Sequence, residues 1–189
     1  MEKKSAGNPK VVILLVLISF CFIAVLVFGG WLVSLELQYK TYFNEKNGFR
    51  IKYPKTWTVS TKAIPGMIAG FVSPKEGPLD LFLENVAVTS TELSAELATL
   101  DKYADATVQQ MTSVFKNLQV SKPVEVEMSG HPGKKIVLKS ADNGGSVIVI
   151  YAFVFQKKAY NITYMGSARS YVKDQRIIRD MIYSLKVFF

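Results

Sequence analysis

The only histidine, His131, lies in Ser129-Gly130-His131-Pro132-Gly133, and a Ser two residues from a His is the first pairing in the chain that invites chemistry. Acyl transfer needs a nucleophile, a base oriented by a carboxylate, and donors for the oxyanion. Here there is no Gly-x-Ser-x-Gly elbow and no evident orienting carboxylate, and the Gly and Pro content spells a tight turn with an exposed ring. One His also falls short of a conventional two- or three-His metal site. Asp142-Asn143-Gly144-Gly145 offers oxygen ligands without the spacing or the later Glu of an EF-hand loop, and reads as a hairpin turn. Asp101 and Asp105 share a helix face and suit the positive end of a first helical turn. Gly66-Met67-Ile68-Ala69-Gly70 lacks the following Lys-Ser/Thr of a phosphate loop. Asn161-Ile162-Thr163 is a glycosylation sequon by letter only, because it falls inside a predicted strand. No catalytic, metal-ligating or cofactor-binding residue is assigned, and a non-enzymatic chain is expected.

The functional-looking cluster is basic: Lys134, Lys135, Lys139, Lys157, Lys158, Arg176 and Arg179. Glu36 to Glu127 carries 10 basic and 11 acidic residues, whereas Met128 to Phe189 carries 10 basic and 3 acidic. The positive field therefore belongs to the C-terminal part, and an anionic surface is the partner it fits, with a solvated positive face as the plainer reading. No nucleic-acid partner is expected.

Aromatic residues carry a second possibility. Tyr53 and Trp57 are read as core, since a Trp shortly after a strand-ending Pro fills space beside the turn. Tyr151, Phe153, Phe155, Tyr160 and Tyr164 are the warrant for an alternative function, a carrier of a small apolar ligand held between a sheet and a helix.

These residues are held outside a membrane. Lys3, Lys4 and Lys10 precede Val11–Leu35, 25 residues without a charge and roughly 37 Å long as a helix, more than a hydrocarbon core of about 30 Å. A cleaved signal peptide ending near Val27-Phe28-Gly29 is the competing reading, but the apolar run continues through Trp31. Cys21 follows Phe20 rather than a small residue, which argues against lipidation. The expected organisation is a cytoplasmic N-terminus (1–10), a single-pass transmembrane helix (11–35) in the cell membrane, and an extracytoplasmic domain (36–189) exported by the positive-inside tendency. That domain has no Cys and depends on packing alone.

Alternation predicts strands at Phe49–Tyr53, Ala69–Ser73, Leu81–Thr89, Val124–Met128, Lys134–Lys139, Ser146–Phe155 and Tyr160–Gly166. Ser146–Phe155 is apolar on both faces and belongs in the middle of a covered sheet. Turn signals at Asn143-Gly144 and Lys157-Lys158 join the last three into an antiparallel meander. One helix is predicted over Leu97 to Leu118, on the spacing of Leu97, Leu100, Ala104, Val108, Met111, Phe115 and Leu118. A second runs from an N-cap at Ser170 through Ile178, Met181, Ile182 and Leu185, and ends the domain.

Asn47–Trp57 ("NGFRIKYPKTW"), Met128–Lys135 ("MSGHPGKK") and Ile177–Lys186, in this order, resemble the PsbP-like family across nearly the whole of the exported part. The matching positions Gly48, Phe49, Tyr53, Pro54, Trp57, Gly130 and Ser184 are mainly structural. The resemblance implies an α/β/α sandwich with a central antiparallel sheet. The chain is more similar to the family's anchored bacterial and archaeal relatives, whose role is unknown. Together with the short tether and the lack of paired catalytic groups, this makes a non-enzymatic binding or assembly module the expectation. A less favoured alternative is the role of the extrinsic photosystem II subunits, which help retain calcium and chloride at the oxygen-evolving centre.

Overall fold

Strand β9 (Ser146–Phe155) shows why the sheet is built as it is. Val147, Val149 and Phe153 are buried on one face, and Ile150 with Ile148 packs on the other, so both phases of the alternation are covered. It lies between β8 (His131–Ser140) and β10 (Lys158–Ser167), antiparallel to each. The β9–β10 hairpin closes on Phe155 and Lys158, with Gln156 at φ 48° and Lys157 at φ 61°. The hairpin between β7 (Val124–Met128) and β8 closes on Met128 and His131, with Ser129 at φ 55° and Gly130 at φ 78°. Positive φ at both central residues is the signature of the tight turn whose twist matches paired strands.

The computed structural model describes residues 23–25, 38–60, 66–78, 80, 82–115, 117–140 and 145–188. The chain divides into Met1–Tyr39 and Lys40–Phe189. In the first unit Ile23–Val25 is helical and exposed. The rest of the expected span at 11–35, with Cys21, Trp31 and the N-terminal lysines, lies outside the described residues. Among the described residues no helix is long and apolar enough to cross a membrane.

In the second unit the larger sheet continues from β10 through β5 (Asn85–Glu92) and β4 (Met67–Val72) to β3 (Thr58–Ser60). On its other side β6 (Leu118–Val120) and β7 divide the outer edge of β8 between them. Helix α1 (Leu100–Val114) packs on one face over Ile136, Leu138 and Ile150. Helix α2 (Ala168–Ser184) packs on the opposite face with a three-stranded sheet of β1 (Tyr39–Asn44), β2 (Phe49–Pro54) and β11 (Lys186–Val187). The mixed α/β architecture with antiparallel sheets is as expected, whereas the small second sheet is not.

Other differences have local causes. Helix α1 stops short of both expected ends: Thr99 adopts extended backbone and caps Lys102 N, Leu97 lies in a 3-10 turn, and Leu118 opens β6. The N-cap of α2 is Ser167, not Ser170, whose amide donates to the Ser167 hydroxyl at 3.0 Å as β10 turns directly into the helix. The domain ends on β11, because Leu185 is extended and Lys186 and Val187 pair with Arg50 and Phe49. Strands β1, β3, β6 and β11 are missing from the sequence reading; the last three are too short for periodicity to register.

The family-like positions do structural work. Gly48 holds φ 57° at the turn into β2, Phe49 is fully buried, and Tyr53 packs on Phe71 with ring centroids 4.9 Å apart. Trp57 N donates to Pro54 O at 3.0 Å and carries the buried indole into the core. The Ser184 hydroxyl accepts from Lys52 N at 2.8 Å, which ties the end of α2 to β2.

Candidate functional site

Successive residues of β8 face opposite sides of the sheet, so Lys134 and Lys135 part company. Lys134 points to the α1 face, where its ammonium meets Asp101 at 2.9 Å and Glu125 at 3.3 Å. Lys135 points to the α2 face, its ammonium 5.5 Å from the centre of the Tyr151 ring and near enough to the Tyr151 and Tyr171 phenols for both to act on its charge. Burial alone would lower its pKa, but the two phenols outweigh burial and the net direction is upward, so the group is a cation at neutral pH. Tyr151 itself is pushed up by burial, against the pull of Lys135, and stays a neutral phenol.

Lys135 sits in a groove of about 550 Å³ between α2 and the strands β7 to β9. Val126 and Val172 give it apolar surface over the buried Ile178 and Ile182, and Arg176, Arg179 and Tyr183 line it from the helix. Glu127 also lines it, yet among the described residues no salt bridge joins any carboxylate to Lys135. Arg176 and Arg179 each approach Asp180 at 3.8 Å, long for an ion pair. Further along α2, Lys173 is paired with Glu76.

Of the seven basic residues singled out in the sequence, Lys135, Arg176 and Arg179 thus share one groove. The other four do not join them. Lys134 is on the opposite face; Lys139 pairs with Val147 near the start of β9, and Lys158 with Phe155 at its end. Eight residues of strand separate those two positions, roughly 26 Å at about 3.3 Å per residue. Lys157 caps the same distal hairpin as Lys158. A single seven-residue patch is therefore not formed.

The remaining candidates resolve as structure. His131 is not an exposed turn residue: it opens β8, is half-buried, and stacks on Phe153 at 5.6 Å with a 4° interplanar angle. The Ser129 hydroxyl is buried and has no hydrogen-bond partner among the described residues, so no Ser–His pair is assembled. Asp101 serves Lys134, and Asp105 is exposed on α1. Asn161 lies in β10 with its amide donating to Tyr103 OH at 2.6 Å and Thr89 Oγ1 at 3.3 Å, out of reach of glycosylation. Gly70 is within β4, and Asp142, Asn143 and Gly144 lie outside the described residues. Among the described residues no group of three or more His, Cys, Asp or Glu gathers to hold a metal. Of the five aromatic residues proposed for a carrier, Phe153, Tyr160 and Tyr164 are core, and only Tyr151 lines the groove.

Sequence reasoning missed Tyr171 and Tyr183 in the groove, and a buried acidic pair behind it. Tyr164 OH donates to Asp174 Oδ2 at 3.1 Å, and Ser73 Oγ donates to Glu84 Oε2 at 2.9 Å. Burial, reinforced by the negative charge of Glu84, raises the Asp174 pKa above the ordinary carboxylate value, although the Tyr164 hydrogen bond opposes the shift. Burial and the neighbouring carboxylates push Tyr164 upward as well. The signal was present: Asp174 is four residues before Ile178, on the apolar stripe of α2, where only a satisfied or functional acid belongs.

The chain matches the PsbP family over residues 37–187. A search of curated proteins gives no match. Among solved structures the fold is similar to that of cyanobacterial PsbP from Synechocystis sp. PCC 6803, at 14% identity and a TM-score of 0.57, covering 80% of this chain and 93% of that one. It is similar to the Ran-binding protein Mog1p of Saccharomyces cerevisiae, at 9% identity and a TM-score of 0.56, covering 79% and 95%. A Pseudomonas aeruginosa protein of unknown function, described as a putative regulator, aligns at 10% identity and a TM-score of 0.55 over 80% and 99%. At such identities these structures speak to fold alone. The family match is of another kind, since it runs from just before β1 to the last residue of β11, and the chain belongs to the PsbP family.

Proposed function

We propose that the protein is a membrane-anchored, non-enzymatic binding module whose working face is the groove between α2 and β7 to β9. Residues 11–35 form its single-pass anchor in the cell membrane, residues 1–10 stay in the cytoplasm, and the domain stands outside the membrane, on the charge asymmetry already described. The observation that carries the reading is Lys135, a half-buried cation given phenols instead of a carboxylate, with Arg176 and Arg179 beside it. Its partner is an anionic surface, on a protein or on a membrane. A photosystem role has no independent support in the site. The carrier reading narrows to the same groove, because most of the aromatic residues behind it are committed to the core.

The test holds the full-length protein in phosphatidylcholine nanodiscs and measures its attachment to immobilised vesicles of phosphatidylglycerol or phosphatidylcholine. Attachment to the anionic vesicles alone, falling as salt rises, is expected. Near such a surface each Arg contributes about 1 kcal/mol, so changing Arg176 and Arg179 together to Gln should weaken attachment roughly 30-fold. Changing Lys157 and Lys158 to Gln should leave it nearly intact. Equal binding to both vesicle types, or a larger loss from the hairpin lysines, would remove the groove as the working face.

A further inference from the structure

Three properties of the groove go beyond a general attraction to negative charge. Its cation is recessed: Lys135 is half-buried against the Tyr151 ring, whereas Arg176 and Arg179 in the same groove are exposed, so a flat anionic surface meets the arginines more readily. Beside that cation lies an apolar patch, the half-buried Val126 of β7 and the exposed Val172 of α2, among charged groups. Its volume of about 550 Å³ falls within the roughly 300–1,000 Å³ of small-molecule sites. A recessed charge beside an apolar patch is poorly matched to a free, strongly hydrated inorganic ion, which would lose its water against hydrocarbon. It is equally poorly matched to a neutral apolar molecule, which would bury the ammonium without an anion.

We infer that this groove binds a small organic anion, with a carboxylate or phosphate at Lys135 and an aromatic or aliphatic body against Val126 and Val172. The Tyr151 and Tyr171 hydroxyls supply neutral donors beside the ammonium, so that the anion is received by a charge and by hydrogen bonds together. Arg176 and Arg179 draw the ligand in and define the mouth. The phenol ring of Tyr183, exposed at the rim, offers a face for a flat ligand body. The inference rests on the groove being the working face, and it adds a ligand class and the residue that reads its charge.

The test titrates the full-length protein in phosphatidylcholine nanodiscs with 2-naphthoate, subtracting empty nanodiscs, and compares it with neutral 2-naphthalenemethanol and with acetate. Saturable binding of naphthoate is expected, with the alcohol and acetate each far weaker. Lys135→Gln should weaken naphthoate roughly tenfold or more, as should Lys135→Met, which keeps the side-chain stem and guards against a folding defect. Lys139→Gln should have no effect. Equal binding of the alcohol, or full affinity in both Lys135 variants with unchanged thermal midpoints, would overturn the inference. Phosphatidylglycerol added to the nanodisc should weaken naphthoate only modestly, by covering the mouth at Arg176 and Arg179; complete displacement would assign the site to lipid headgroups and overturn a free ligand. If the arginine variants still lose vesicle attachment while naphthoate fails to bind, the binding-module reading stands and the ligand inference alone falls. Failure of both would remove the groove altogether.

Discussion

Lys134 and Lys135 are neighbours in the chain and live in different electrostatic worlds. On the α1 face Lys134 is satisfied by two carboxylates, and the sheet beneath it carries a small apolar cluster. On the α2 face Lys135 has phenols beside it and, among the described residues, no salt bridge, above the main core that unites α2 with both sheets. Strand alternation sends adjacent side chains to opposite faces whatever their type, so equal residues acquire unequal roles from what packs over them. The α1 face is closed chemistry; the α2 face combines most of the burial with an unneutralised charge.

The strongest way to break that comparison is through backbone fit on the α2 face. A Cβ at Gly166 would come within 2.2 Å of the Tyr164 hydroxyl, and that ring is fully buried and held by Asp174. Gly166→Ala must displace the ring and its hydrogen bond, at about 3 kcal/mol in urea unfolding. Ile150→Val, a one-methylene loss on the α1 face, should cost only about 1 kcal/mol. The reverse order would mean that α1, not α2, guards the main core.

A smaller effect sharpens the picture of the buried acid. Because folding raises the Asp174 pKa, the charged carboxylate is less at home in the native state than in the unfolded chain. The sign is then opposite to that of a salt-bridged acid: the penalty is present above the raised folded-state pKa and disappears as the pH falls through it toward the unfolded value. Asp174→Asn keeps an oxygen for the Tyr164 hydroxyl and removes the charge, so it should stabilise the protein at neutral pH by on the order of 1 kcal/mol. Urea midpoints at neutral and acidic pH check this, since the advantage of Asn should shrink on acidification. A variant that loses stability at neutral pH would show that the ionised carboxylate is needed where it lies.

How much of this was legible follows from the range of each interaction. The β8–β9–β10 meander was readable because alternation and turn residues are local, and Ser146–Phe155 even announced its two covered faces. The division of the edge of β8 between β6 and β7 was not, since a three-residue strand takes its identity from its partner. In the groove, the Arg176 and Arg179 side of α2 could be read from helical phase, but that it faces Lys135 depends on how α2 crosses the sheet. Tyr171 and Tyr183 carry no such signal, because in sequence an aromatic residue near an apolar stripe looks like core, whereas Tyr183 is 64% exposed.

The smallest expected effect tests the founding contrast directly. Asp101, ahead of Glu125, holds the Lys134 pKa above the ordinary lysine value by hydrogen bonding, against a smaller opposing burial. Both carboxylates are solvent-exposed, so the pairs are screened and their loss in Lys134→Gln should lower the thermal midpoint only slightly. That small loss should fade as salt is added, because added ions already weaken the pairs in the wild type. Lys135→Gln should behave differently: it loses a contact with the Tyr151 ring and no carboxylate, so its effect on the midpoint should be small and insensitive to salt, while ligand and surface binding suffer. Thermal melts of the two variants at low and high salt decide the matter. If Lys135→Gln is the more destabilising of the two, then the groove cation is there to hold α2 through the phenols of Tyr151 and Tyr171, and its openness to anions is incidental to a structural task.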